Sequence, residues 1–145
     1  MRDLPRQLSV VELAELFEGE TRLVERLAEL EDPLTRADDV LATLTEEEKI
    51  EALDAHPAIG AKKLSTRSAV EQGTDSDPAI LSELAYLNQI YLEKFGFRFV
   101  VFVDGRPKRV ILEVLRDRIG NTREQELDTG CRELAAIARD RWTRT

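Results

Sequence analysis

The sequence predicts an all-α fold, a multi-helix bundle, and three observations carry that prediction. Leucines, valines and isoleucines recur at i, i+3, i+4 spacing over most of the 145 residues. Serine, threonine and aspartate stand in capping positions ahead of those periodic stretches. The only run with strong strand propensity, Phe97-Arg-Phe-Val-Val-Phe-Val103, has no partner elsewhere in the chain.

Ser9-Val-Val-Glu12 has the form of a capping box, in which hydroxyl and carboxylate satisfy orphan amides at a helix start. Leu13, Leu16 and Phe17 follow at helical spacing, with Gly19 as the stop. Leu23, Leu27 and Leu30 mark a second helix, expected to end at Asp32-Pro33. Val40, Leu41 and Leu44 mark a short third. Thr45-Glu-Glu-Glu48 is a second capping box and opens a helix carrying Ile50 and Leu53.

Residues 55–77 change character, with small residues, two glycines and many hydroxyls; they read as a glycine-rich loop holding one or two short helices. Asp77-Pro78 then places an N-cap residue before proline at the first helical position. The long helix it opens carries Leu81, Leu84, Ala85, Asn88, Tyr91, Leu92 and Phe95 as one stripe, ended by Gly96. Residues 97–103 are expected as a short, buried extended connector. Val110, Ile111, Val114 and Leu115 mark the next helix, which stops at Gly120. Thr122-Arg-Glu-Gln125 caps the last, with Leu127, Leu134, Ile137 and Ala138 facing inward. At this length the chain is expected to form one domain, residues 1–145.

Composition narrows the function classes. Hydrophobic residues make up 42%, enough for a core, and the formal net charge is −8. Residues 1–55 carry −10 of that and the remainder +2, so the acidic end reads as a solvated face. A negative protein is a poor default for nucleic acid or an anionic membrane, both of which need a positive field. A single cysteine, Cys131, excludes an internal disulfide and a multi-cysteine metal site. There is no apolar run of membrane-spanning length and no signal-peptide pattern, so a cytoplasmic location is expected.

Three segments carry candidate chemistry. In Ala55-His56-Pro57-Ala58-Ile59-Gly60, His56 is the only histidine, the side chain whose ordinary pKa lies near neutrality. Pro57 fixes the backbone after it and disfavours the helical conformation at His56. A histidine at such a junction can be presented to a cavity, or can cap the last carbonyls of its helix. In Ser68-Ala69-Val70-Glu71-Gln72, helical spacing gathers hydroxyl, carboxylate and amide on one face, suited to gripping a polar heterocycle. An exposed surface turn is the plainer alternative. Residues 56–72 also hold Lys62, Lys63 and Arg67, a local +2 that suits a small anion. In the third segment, the main chain after Gly96 exposes amides and carbonyls that can line a pocket wall.

Taken in order, HPAIG, SAVEQ, LNQIYLEKFGFRFVVFV, ILEVLRDRIGN and RELAAIARDRW resemble the 2-oxo-4-hydroxy-4-carboxy-5-ureidoimidazoline (OHCU) decarboxylases of uric acid breakdown. The resemblance runs over roughly residues 50–142, and its most specific part is HP followed by SxxEQ and KFGFxF. It implies an all-helical, cofactor-free homodimer that converts its anionic ureido-imidazoline to (S)-allantoin. It implies His56 as general acid/base with Glu71 beside it in the catalytic pair. Pro57, Ser68, Ala69, Val70, Glu71, Gln72, Phe99, Val100, Val101, Phe102, Val103 and Arg141 are implied to bind substrate.

The chemistry is consistent with a site lacking metal and cofactor. Loss of CO2 leaves an electron pair on carbon, and the ring C=N of this substrate is its own electron sink. The protein need only orient the scissile bond, stabilise spreading charge and deliver a proton to one face. Glu71 either holds one His56 tautomer or binds the substrate hydroxyl. Two rival readings remain: a non-catalytic helical adaptor, and a helix-hairpin-helix-like nucleic-acid module in which Pro57–Lys63 approaches phosphate. Geometry discriminates, because only the enzyme requires His56 and Glu71 to line one pocket.

Overall fold

The structure is a computed structural model that describes residues 3–57 and 77–144. Among the described residues there are seven helices and no strand: α1 Val10–Phe17, α2 Arg22–Ala28, α3 Pro33–Thr43, α4 Glu46–Asp54, α5 Pro78–Phe95, α6 Lys108–Ile119 and α7 Arg123–Arg144. The all-α expectation holds. The glycine-rich loop lies almost wholly outside the described residues.

Capping chemistry sets most of the starts. Ser9 Oγ accepts from the Glu12 amide at 3.1 Å, and Glu12 returns the bond to the Ser9 amide at 3.1 Å. Thr45 and Glu48 form the same reciprocal pair at 3.2 and 2.9 Å, and Thr122 and Gln125 do so at 3.1 and 2.9 Å. Each box satisfies two amides that the first helical turn leaves without partners. Asp77 caps α5 through the Ala79 amide at 2.9 Å, and Gly96 closes it with φ +82°.

Two boundaries differ from the sequence expectation. Asp32-Pro33 does not merely end α2, which stops at Ala28; it starts α3, with Pro33 in the first turn. Proline lacks the N–H that a first turn leaves unused, so it fits there. Gly19 is not the residue that turns the chain after α1. Glu18 takes that left-handed conformation, with φ 66°. On α5, Leu84, Tyr91 and Phe95 are buried as expected, but Ala85 and Leu92 face outward.

Helix α2 packs among α1, α3 and α4, while α7 lies against α1, α3 and α4 and more lightly against α5. The fully buried Leu13, Phe17, Leu23, Leu27, Leu34, Leu41, Leu53 and Leu134 form the centre of this group. Helix α5 packs chiefly along α6. Between α5 and α6 runs the extended connector, residues 97–103, with Phe97, Phe99, Val100, Val101 and Val103 all buried. Tyr91, Phe95, Phe97 and Phe99 interlock there; Tyr91 meets Phe95 at 4.6 Å and Phe99 at 5.3 Å between ring centroids. Tilted and edge-on aromatic contacts of this kind favour one arrangement over a sliding one.

Candidate active site

His56 follows the last turn of α4, where its amide donates to the Leu53 carbonyl at 3.2 Å. Its side chain turns inward and is only 5% exposed. It does not cap α4 from the surface. The imidazole Nε2 is buried and has no hydrogen-bond partner among the described residues. Buried polar atoms are nearly always paired, so an orphaned imidazole nitrogen is a feature to be explained by function.

Two charged groups from distant parts of the chain face His56. Arg141, on α7, is 3% exposed, and Glu18 comes from the end of α1. Arg141 Nη1 donates to the Leu16 carbonyl at 3.0 Å and to Glu18 Oε1 at 3.1 Å. The guanidinium thus ties α7 to the C-terminal end of α1, where orphan carbonyls favour a cation. Burial pushes the His56 imidazole down from 6.5 to about 3; the Arg141 charge adds to this and Glu18 opposes it. The expectation of a histidine titrating near neutrality is therefore corrected: His56 is held neutral, because burial penalises the imidazolium and Arg141 adds to that penalty more than Glu18 relieves it.

The connector is fastened to the same place. The Arg98 amide donates to Asp54 Oδ1 at 3.0 Å, and Arg98 Nη1 donates to the carbonyls of Asp54 at 3.0 Å and His56 at 2.5 Å. These bonds clasp the start of the connector to the end of α4. Further along, the amide of Phe102 donates to Glu133 Oε1 at 3.3 Å. Among the described residues, it is the one amide of residues 99–103 that donates a hydrogen bond. The chain here is buried, yet its amides at 99, 100, 101 and 103 are left to other acceptors.

Of the residues expected from sequence, His56 and Arg141 are therefore brought together, and the connector reaches the His56 main chain. Pro57 directly follows His56. Ser68, Ala69, Val70, Glu71 and Gln72 lie outside the described residues, as do Lys62, Lys63 and Arg67. Sequence reasoning missed Glu18 and Arg98. Glu18 carried one signal: a carboxylate at the end of a helix opposes the helix dipole and calls for a compensating cation.

The OHCU decarboxylase family model matches residues 2–143. The chain belongs to the OHCU decarboxylase family. It is 28% identical over 141 residues to the uric acid degradation bifunctional protein PucL of Bacillus subtilis (strain 168), covering 89% of this chain and 28% of that protein. It is 29% identical over 99 residues to a 2-oxo-4-hydroxy-4-carboxy-5-ureidoimidazoline decarboxylase of Halalkalicoccus jeotgali, covering 65% of this chain and 56% of the relative. The chain thus spans little more than half of one curated relative and under a third of the other. A crystal structure of an OHCU decarboxylase in the presence of (S)-allantoin superposes with a TM-score of 0.76 at 24% identity, covering 90% of this chain and 94% of that one. This OHCU-family member therefore shares the fold of that enzyme.

Proposed function

We propose that this chain decarboxylates 2-oxo-4-hydroxy-4-carboxy-5-ureidoimidazoline to (S)-allantoin, with His56 moving the proton. The observation that carries the reading is the buried Nε2 of His56, which has no hydrogen-bond partner among the described residues and feels the charge of Arg141. Family membership supplies the reaction class. The relative solved in the presence of (S)-allantoin fits a product of this kind.

The chemistry suits a neutral imidazole. One carbon of the substrate bears both carboxylate and hydroxyl. As CO2 leaves, the C–C bond pair moves into the adjacent ring C=N, the ring nitrogen takes up a proton from water, and an enol remains. Moving the enol proton from oxygen to the ureido-bearing carbon gives the ketone and fixes its handedness. A neutral imidazole can accept the proton from oxygen and return it to one face of carbon, so no net charge is left on the protein. Arg141 places positive charge where the substrate carboxylate enters, and the amides of Phe99, Val100, Val101 and Val103 are available to read ring and ureido oxygens. Ser68 and Gln72, with the backbone of Ala69 and Val70, complete the binding surface in this reading, and Glu71 either orients His56 or holds the hydroxyl.

The chain acts in this reading as a single-domain cytoplasmic homodimer on a small anionic substrate, without nucleic acid. No helix of the described residues is long and apolar enough to cross a membrane. The test is an assay with freshly generated substrate, following CO2 release and the optical activity of the allantoin formed. His56→Ala is expected to lower kcat by roughly 10²–10⁴-fold while the fold is retained. A His56→Ala protein that turns over at the wild-type rate would sink the proposal.

A further inference from the structure

A second buried polar cluster stands behind the connector, and nothing in the proposed chemistry uses it. Glu126, on α7, is fully buried. Its carboxylate accepts from Tyr91 Oη at 2.7 Å, from Arg118 Nε at 2.7 Å and from Asn121 Nδ2 at 2.9 Å. Arg118, on α6, is 7% exposed and lies over the Phe99 ring at 4.6 Å. Its Nη1 donates to the Val100 carbonyl at 2.7 Å, whereas its Nη2 is buried without a hydrogen-bond partner among the described residues.

Stability alone is a poor account of this cluster. A buried ion pair commonly does no better than apolar residues of the same volume. The pair here also leaves one guanidinium nitrogen unsatisfied, which costs further. What the cluster does achieve is directional. Tyr91, Asn121 and Arg118 fix the carboxylate, the carboxylate fixes the guanidinium, and the guanidinium ends on one main-chain carbonyl in the connector.

That carbonyl belongs to the Val100–Val101 peptide, which is trans, like every peptide bond described. In a trans peptide the N–H points opposite to the C=O, so the Val101 N–H is directed away from Arg118. Among the described residues it has no acceptor. A cation on the oxygen of a peptide draws electron density through the amide and strengthens its N–H as a donor. Arg98 clasps the connector at the His56 end, and Arg118 holds it two residues on.

We propose that Arg118, oriented by Glu126, is a positioning residue that holds and polarises the Val100–Val101 peptide so that the Val101 amide donates to the bound ureido-imidazoline. This rests on the decarboxylase reading, which makes the connector part of the binding surface. It deepens that reading by naming the one amide the protein has strengthened and the side chain that strengthens it. Arg118 itself touches no substrate.

The test uses the full chain, with Arg118→Lys, Glu126→Gln and, as a control on the exposed face of the same helix, Arg116→Gln. Each protein is measured for thermal midpoint, for kcat and KM, and for the shift of the Val101 amide resonance when (S)-allantoin is added. In the wild type the Val101 resonance is expected to move downfield on binding. Arg118→Lys is expected to fold, to show a diminished Val101 shift, and to lose on the order of tenfold in kcat/KM with most of it in kcat, as for a weakened preorganised donor. Arg116→Gln is expected to match the wild type in all three.

A lysine variant that is less stable but has wild-type kcat, KM and Val101 shift would overturn the proposal and leave Arg118 as structure alone. Should Arg118→Lys not fold, Glu126→Gln decides. It keeps one acceptor oxygen, replaces the other with a donor amide and removes the charge that orients the guanidinium, so an unaltered Val101 shift and unaltered kinetics there overturn the proposal equally. The failures of the two readings separate cleanly. Absence of turnover in the wild type defeats the decarboxylase reading, whereas turnover that Arg118→Lys leaves intact defeats the positioning role alone.

Discussion

Replacing His56 by Gln should change how stability depends on pH, and the size of the change follows from the burial of the imidazole. The unfolded chain binds a proton on His56 near pH 6.5, while the folded chain resists it down to about 3. Between those values the unfolded state holds one more proton than the native state, so stability falls as pH falls. The slope is about 1.4 kcal/mol per pH unit once pH is well below 6.5. From pH 7.5 to pH 5 the wild type should lose about 2 kcal/mol through this group alone. Glutamine does not titrate, so His56→Gln should lack that component while sharing every carboxylate contribution. The assay is urea denaturation of both proteins at half-unit steps from pH 7.5 to 5, reading the difference in unfolding free energy. Because the chain has one histidine, the imidazole Cε1–H resonance also reports its titration without ambiguity. Parallel stability curves for the two proteins, together with a native imidazole titrating near 6.5, would refute the reasoning and return His56 to a solvated position.

Other substitutions test the neighbours. Glu18→Gln removes the carboxylate that Arg141 meets at 3.1 Å; it should cost about 1.5–3 kcal/mol, the range for hydrogen bonds to charged groups, and chemical denaturation would expose a null effect. Thr45→Ala dismantles the capping box of α4 and should cost about 1 kcal/mol with no change in KM, checked by the same denaturation and by steady-state kinetics. Glu71→Gln should lower the pKa in the pH–rate profile if the carboxylate holds His56, and should act on binding terms with an unmoved pKa if it grips substrate. A variant indistinguishable from Glu83→Gln would place Glu71 on the surface. Activity should survive exhaustive chelation, since one histidine and one cysteine offer no metal-ligand cluster; loss with EDTA and recovery with one divalent ion would contradict this.

The helices were legible because their signals are local. A capping box needs only four residues, and those at Ser9, Thr45 and Thr122 form the bonds their sequences imply. The same dipeptide shows where local reading fails. The flanking sequence marks Asp77-Pro78 as a start and Asp32-Pro33 as a stop, yet both prolines occupy the first helical turn. Proline excludes a helix that arrives from its N-terminal side and favours one that leaves on its C-terminal side. Which of the two a reader sees depends on the flanking apolar pattern. The connector was legible for a different reason: strand-forming residues without a partner strand can still be buried, provided their main chain finds side-chain partners. Arg106 and Arg118 donate to the Phe102 and Val100 carbonyls, and Arg98 ties the connector to the carbonyls of Asp54 and His56.

The candidate site was legible in its residue and not in its electrostatics. His56 stood out as the single histidine before a proline, a property of two adjacent positions. Its protonation state depends on burial by a bundle and on Arg141 and Glu18, which the fold brings from the two ends of the chain. Spacing rules reach four residues along a helix; they do not reach from α1 to α7. In the proposed reaction the substrate carboxylate, while still attached, sets an anion beside the neutral imidazole, and that bias toward the protonated form ends when CO2 leaves. In that reading, burial that keeps His56 neutral leaves it able to accept the enol proton after CO2 has left and to return it to carbon.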